Sequence, residues 1–267
     1  MPRAPIALTI SSSDSSGGSG VQADVKTFSA LGVYAATAVT AVVAQDTQRT
    51  YGSVAMEPAF VAQQIDATLG DLGADVIKTG WLVNDGIVEA IAERLAAAEA
   101  PVVVDPCFVA KDGSRLLDDA AVAALRDRLL PLAAVVTPNA AEAEALTGHA
   151  LTTWDDLREA AAEIVGLGAK AVVIMGWRRE GEVVTDLLFD GTEYRELAAE
   201  QVPTSSTMGT GAAFSAAVAA TLAKGETLPH AVAAAKAYVT KALQEAYTLG
   251  KGKGPPHHFY RYWRPLL

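Results

Sequence analysis

The chain has little of several things, and each shortage excludes a class. One cysteine, Cys107, stands among 267 residues, so no internal disulfide framework is available, and a reducing, cytoplasmic setting is expected. Basic residues are outnumbered, 21 Lys and Arg against 31 Asp and Glu, for a formal charge of −10. Without a basic stripe, a nucleic-acid partner is excluded and a small-molecule ligand is expected. The opening apolar run, APIALTI, falls far short of the roughly 20 residues that cross a bilayer. It meets polar SSSDSSGG at once, so it reads as a first strand, and no membrane partner is expected. No 20–50-residue repeat and no Pro-, Ser- or charge-rich linker interrupts the chain, which predicts one domain over 1–267.

What is present is an α/β pattern. Hydrophobic residues make up 51%, as strands buried on both faces require. Strand-length apolar runs at 5–10, 35–44, 75–80, 101–105, 134–137 and 171–175 alternate with helical patterns at 21–31, 58–70, 84–99, 118–130, 139–147 and 153–167. That order predicts a largely parallel sheet between helices. Two short runs around Asp190-Gly191, within 183–199, predict an antiparallel edge hairpin. Two Ala-rich helices, 210–223 and about 228–247, close the pattern.

Three turns carry chemistry. SSSDSSGGSGVQAD (11–24) is glycine-rich and precedes a helix, which fits either a ligand turn at a strand's carboxyl end or a flexible loop. STMGTGAAF (206–214 within) sets Gly209, Thr210, Gly211 and Ala212 at the start of a helix with almost no polar face. A buried helix cannot leave its first N–H groups unpaired. An anion there is favoured over ordinary capping by Thr207 or Thr210. TPNAAEAEAL (137–146) puts Asn139 and Glu142 one turn apart; they read either as an N-cap with its capping-box partner or as a phosphate and Mg²⁺ pair.

Together these segments resemble the ribokinase-like superfamily, and within it the hydroxymethylpyrimidine and phosphomethylpyrimidine kinases of thiamine biosynthesis. The matching stretches are SSSDSSGGSGVQADVKTFSALGVY, VTAVVAQDT, IKTGWL, DPCFVAKDG, LLPLAAVVTPNAAEAEALTG, GTGAAFSAA and the closing GKGKGPPHHFYRYW. They run in order over essentially the whole chain. The resemblance implies a three-layer sandwich with a central, mostly parallel sheet of about eight strands, a homodimer, ATP with Mg²⁺, and a heteroaromatic alcohol or its monophosphate as acceptor. It carries the ring-binding role onto Gln45, pocket positions onto Gly20 and Asp24, the Mg²⁺ and phosphate pair onto Asn139 and Glu142 (the metal through Glu142), and the anion hole onto Gly209, Thr210 and Gly211. A glutamine amide offers one acceptor and two donors, as a pyrimidine edge does.

The departures from the family pattern are specific. Ala212 stands where the family has Cys and the superfamily Asp, Met208 where His is common, and MGWRRE, with Met175, where a Lys is usual. Arg178 or Arg179 is a substitute for that cation, or simply solvated charge. Trp81 and the Cys107-Phe108 pair replace smaller residues in the pocket wall; ring stacking and core filling stand equal for the aromatics. Cys107, counted with the pocket, reads as a small buried hydrophobe at a strand end. Lys111 is expected on a loop over substrate or ATP, or as a plain exposed lysine. His257 and His258 are expected to be structural. The leading reading is therefore an ATP-dependent kinase of hydroxymethylpyrimidine. The rivals are a pyridoxal-type kinase and a pyrimidine-binding relative that has lost transfer chemistry.

Overall fold

In the computed structural model, which describes residues 3–108, 115–178 and 183–263, nine strands form one sheet in the order β3-β2-β1-β4-β5-β6-β7-β8-β9. The strands are β1 (Ile6–Asp14), β2 (Tyr34–Gln45), β3 (Thr50–Ala55), β4 (Val76–Thr79), β5 (Val102–Val104), β6 (Ala133–Val136), β7 (Val172–Arg178), β8 (Val183–Phe189) and β9 (Tyr194–Glu200). β2, β1 and β4–β7 run parallel, while β3 at one edge and β8–β9 at the other are antiparallel. The hairpin around Asp190-Gly191 is as expected: the Asp190 carboxylate accepts from the N–H groups of Thr192 and Glu193, and Gly191 holds a positive φ of 90°.

Among the described residues eight α-helices cover the sheet: α1 (Gly20–Ala30), α2 (Pro58–Asp71), α3 (Asp85–Leu95), α4 (Asp119–Ala124), α5 (Ala140–Thr147), α6 (Trp154–Gly166), α7 (Thr210–Leu222) and α8 (Leu228–Gln244). One apolar core lies between the sheet and α2–α6, built on Ile10, Ile65, Ile91, Leu125 and Ile164. A second lies under α1, α7 and α8, built on Phe28, Val76, Val103, Phe214 and Tyr238. The result is the three-layer sandwich that the resemblance implied. Among the described residues no helix is long and apolar enough to cross a membrane.

Some boundaries differ from expectation for identifiable reasons. β1 runs on through Ser11–Asp14 and β2 through Gln45, because polar side chains at the buried carboxyl ends still pair, Ser13 with Val42 and Asp14 with Val43. β3 was not expected at all. Its sequence TYGSVA is exposed throughout, so no alternation marks it, and its pairing to β2 alone makes it a strand. The helix expected over 118–130 stops at Ala124 and continues as one wide π turn and a 3₁₀ turn at Pro131, whose ring cannot continue a helix. α3 ends at Leu95 and α8 at Gln244, short of the 99 and 247 expected.

The topology has one reversal that matters. From β1 the chain moves to β2 on one side, then returns to β4 on the other. The carboxyl ends of β1 and β4 therefore flank the crevice where open α/β sheets bind ligands. Val83 and Cys107, the non-glycine residues at positive φ among those described, follow β4 and β5 at this same edge. Backbone strain of this kind concentrates at ligand sites.

Candidate active site

Three turns meet over the carboxyl ends of the parallel strands. The first follows β1, where the Asp14 carboxylate organises it. Oδ1 accepts from the N–H and hydroxyl of Ser16, and Oδ2 from the N–H groups of Gly18 and Ser19 and the Ser19 hydroxyl, at 2.8–3.1 Å. Burial pushes this carboxyl up, but the hydrogen bonds from Ser16, Ser19 and Gln45 outweigh it and hold it below the ordinary value. The glycine turn thus has an internal anion spending the donors a bound phosphate would need. Gly20, at φ 57°, opens α1 against the Ser12 carbonyl, where a β-carbon would collide.

The second turn is different. α7 has Gly209 as its N-cap, at φ 71°, and no side chain caps it. Thr210 donates its hydroxyl to the Thr207 carbonyl instead of accepting. Among the described residues the N–H groups of Gly211 and Ala212 have no acceptor, while that of Ala213 is taken by Gly209. Of the two readings open in the sequence, the geometry therefore excludes side-chain capping and leaves a donor cradle at the positive end of a 13-residue helix dipole. A β-carbon on Gly211 would have Met175 Cε as its nearest neighbour, in ordinary contact at 3.8 Å. That cradle fits a phosphate.

The third turn carries Gln45 at the end of β2. Its amide Nε2 donates to the Ser19 hydroxyl at 3.2 Å, and its Oε1 accepts from Thr50 at 3.0 Å. The same amide also hydrogen-bonds the Asp14 carboxylate, so its donors are engaged around the glycine turn and Oε1 keeps a second acceptor position. The side chain is thereby held firmly beside that turn.

Asn139 and Glu142 form a capping box. The Asn139 side chain accepts from the Glu142 N–H at 3.0 Å, and Glu142 Oε2 accepts from the Asn139 N–H at 2.9 Å. An isolated parallel bridge also ties Asn139 to Met175. Glu142 is 3% exposed. Among the described residues no three His, Cys, Asp or Glu side chains cluster as metal ligands. Magnesium in phosphate chemistry needs only one or two carboxylates beside the phosphate oxygens, so Glu142 fits such an ion only as the sole acidic support.

Asp24, expected in the pocket wall, is wholly buried in α1, accepting from Thr9 at 2.6 Å and from Lys78 at 3.0 Å. Lys78, 1% exposed, also faces Asp105 at 3.8 Å. Asp105 in turn accepts from Ser215 of α7 at 2.8 Å. Burial alone would lower the Lys78 ammonium, but the two carboxylates reverse that and hold it above its ordinary value. Burial pushes Asp105 up against the pull of Lys78. This chain of buried charges braces α1, β4, β5 and α7 beneath the site. Sequence reading missed Lys78 and Asp105, because IKTG and VVVD look like uninterrupted buried strands.

The remaining candidates divide. Trp81 is half-buried, packs on the first core and donates its indole N–H to the Leu116 carbonyl at 3.0 Å. Phe108 is core, so filling is its role. Cys107 is half-buried in a left-handed turn beyond β5 rather than at a strand end. Burial, then the charges of Asp105 and Glu142, push its thiol well up, a setting that disfavours the thiolate. Met208 fills the space over Gly18, and Arg178 is exposed. Lys111 and Arg179 lie outside the described residues. His257 and His258 are structural as expected. His257 Nε2 meets the Trp263 carbonyl, and His258 Nδ1 meets the Thr27 hydroxyl.

Comparison with known proteins agrees with this geometry. The sequence model of the family described as phosphomethylpyrimidine kinase matches residues 14–257. The hydroxymethylpyrimidine/phosphomethylpyrimidine kinase of Rhizobium meliloti is 45% identical over 97% of this chain and 98% of its own. The thiamine biosynthesis bifunctional protein ThiED of Geobacter sulfurreducens is 43% identical over 96% of this chain, which spans 52% of that longer protein. An ADP complex of Bacillus subtilis pyridoxal kinase superposes with a TM-score of 0.89 at 40% identity, covering 96% of this chain and 98% of that one. With its uncapped α7, its Gln45 beside the glycine turn and this match over nearly its whole length, the chain belongs to the phosphomethylpyrimidine kinase family.

Proposed function

We propose that this protein transfers a phosphoryl group from ATP to hydroxymethylpyrimidine or its monophosphate. The observation that carries the reading is the donor cradle at Gly211 and Ala212, open to an anion and free of any side-chain cap. The first turn of α7 would hold phosphoryl oxygens through backbone N–H groups, where developing charge is stabilised best in a water-poor site. Gln45 would orient the pyrimidine edge. Asn139 and Glu142 would support Mg²⁺, which supplies charge neutralisation at the phosphates.

Position 212 offers no base for the acceptor's proton, and burial pushes the Cys107 thiol up, away from that role. Phosphoryl transfer rests mainly on positioning and charge stabilisation, so Ala212 is a tolerated loss in this reading. A homodimer is the assembly we propose, supported by Val42 and Val54, which pair across β2 and β3 and are each at least half exposed. Sedimentation of the purified protein tests it; a monomer at micromolar concentration ends it.

Likeness to a pyridoxal kinase and the altered wall at Trp81 favour one second reading, phosphorylation of a pyridoxal-type alcohol. The deciding experiment offers hydroxymethylpyrimidine and pyridoxal separately with Mg-ATP and reads products by mass spectrometry. We expect phosphorylated pyrimidine, strongly diminished in Glu142→Gln. Product only with pyridoxal reassigns the substrate; product with neither, above an enzyme-free control, ends the kinase reading.

A further inference from the structure

The closing segment GKGKGPP has no role in the site as described, yet it crosses it. Thr47, two residues beyond Gln45, is its anchor. The Thr47 hydroxyl oxygen accepts from the N–H groups of Lys251 and Gly252, at 3.2 and 3.0 Å, and its carbonyl accepts from the Lys253 N–H at 2.8 Å. A β-carbon on Gly252 would overlap the Thr47 carbonyl oxygen, and one on Gly250, at φ 76°, would overlap the Thr47 side chain. Glycine is required at both places for the backbone to come this close.

The far end of the segment holds the phosphate turn. The Gly254 carbonyl accepts from the Met208 N–H at 2.9 Å, one residue before Gly209. Just upstream, the Ser206 hydroxyl donates to the Tyr247 carbonyl at 3.3 Å. Beyond Gly254 the chain is pinned by His257 N–H to the Ala242 carbonyl and by buried His258 to Thr27. Among the described residues no hydrogen bond runs directly between 45–50 and 204–211. Two segments link them: the 14–19 turn, which bonds Gln45 through Ser15 and Ser19 and reaches Met208 through Ser16, and residues 250–254, which hydrogen-bond both turns through their backbone. The Thr47 turn is itself stiff: the Asp46 carboxylate accepts from the N–H groups of Gln48 and Arg49 and from the Tyr51 hydroxyl.

We infer that Thr47 is a positioning residue for phosphoryl transfer. By clamping the 250–254 strap it sets the distance between the turn bearing Gln45 and the turn bearing the donor cradle. The inference rests on the kinase reading above. Its physical basis is that in-line transfer tolerates little misplacement, and an error of about 1 Å in the mutual placement of reactants costs on the order of 10²-fold in rate. Each turn can bind its own ligand with the strap loosened, but the two ligands then meet less often in register.

Thr47→Val tests this. It keeps the side-chain volume and removes the acceptor shared by the Lys251 and Gly252 N–H groups; Lys251 is exposed and Gly252 only partly buried, so both freed groups can reach water, and a thermal melt checks that the fold is kept. The expected signature is a fall in kcat of about tenfold or more, with the dissociation constants of hydroxymethylpyrimidine alone and of a non-hydrolysable ATP analogue alone close to wild type. Thr47→Ser should restore kcat. Gly252→Ala, which leaves the hydroxyl in place and pushes the strap off the Thr47 carbonyl, should reproduce the loss. Wild-type kcat in Thr47→Val and Gly252→Ala overturns the inference while leaving the kinase reading intact. So does a kcat loss matched by an equal loss of single-ligand binding, since that is general loosening. A wild-type enzyme without turnover ends both.

Discussion

Gly209 packs directly on Gly18: a β-carbon at 209 would fall on the Gly18 carbonyl oxygen and close to the Ser19 Cα. Two glycine turns, one after β1 and one before α7, thus share a backbone contact with no side chain between them. The contact divides the labour. The Gly18 turn is filled by the Asp14 carboxylate, and the Gly209 turn leaves its donors outward.

The glycines of the second turn should therefore respond in opposite ways to alanine. Gly209→Ala meets a backbone clash at a positive φ and should lower the melting temperature and abolish turnover together. Gly211→Ala meets only Met175 Cε at 3.8 Å and lies at the start of a helix, so stability should hold or rise by up to about 1 kcal/mol. Its methyl covers the cradle, and turnover should fall on the order of 10²-fold. Thermal melts beside initial rates check both. Wild-type turnover in Gly211→Ala would remove the phosphate from this turn.

Gln45→Leu should discriminate between the two substrates. The amide is held by Ser19 and Thr50, and in the proposed reading it orients the acceptor ring. Losing its donor and acceptor should raise KM for the pyrimidine about tenfold or more, leaving KM for ATP in place. Equal rises in both constants would make Gln45 a strand-end residue and nothing more.

Lys78→Met should be among the most destabilising single changes available. It leaves Asp24 and Asp105 buried without their shared cation, a situation that costs roughly 3–5 kcal/mol. Adding Asp24→Asn should recover part of that loss, because one of the stranded charges goes with it. Urea titrations of the single and double variants give the comparison. Additive losses would show that the two residues do not act as a pair.

His258 supplies a pH test. Burial, with the nearby charges of Lys26 and His257, lowers its pKa from 6.5 to about 4; the Thr27 hydroxyl meets its ring at Nδ1, and the Tyr238 hydroxyl donates to its backbone carbonyl. The unfolded chain binds this proton below pH 6.5 and the folded chain only near pH 4. Its contribution is thus fully present above 6.5 and is lost as pH falls through that window, about 3 kcal/mol in all. The stability difference between wild type and His258→Gln should shrink accordingly from pH 7 to pH 4. A difference that stays constant would mean that His258 titrates normally.

Much of this molecule is written locally. The alternation of apolar runs with amphipathic segments, Pro58 after Glu57, Thr153 before an acidic turn, and Asp190-Gly191 between two short runs each act through neighbours within a few residues, and each placed its element. The family was legible for the same reason: VAQDT, TPNAAE and GTG are contiguous, and backbone-built turns keep their glycines together. β3 was not legible, since TYGSVA has no buried face and is a strand only by pairing with β2.

What the tertiary structure decided is how distant polar groups are shared. Two readings of GTG stood open until folding showed Thr210 turned back to Thr207 and α7 uncapped. Asp24 had no partner visible along the chain; Lys78, 54 residues away, meets it in the interior. Thr47 had no visible task until a segment more than two hundred residues later arrived to use its oxygens. Periodicity and capping depend on near neighbours and can be read along a chain. The partner of a buried charge or an uncapped donor depends on which elements the fold brings together, and that is set only when the sheet and its helices close.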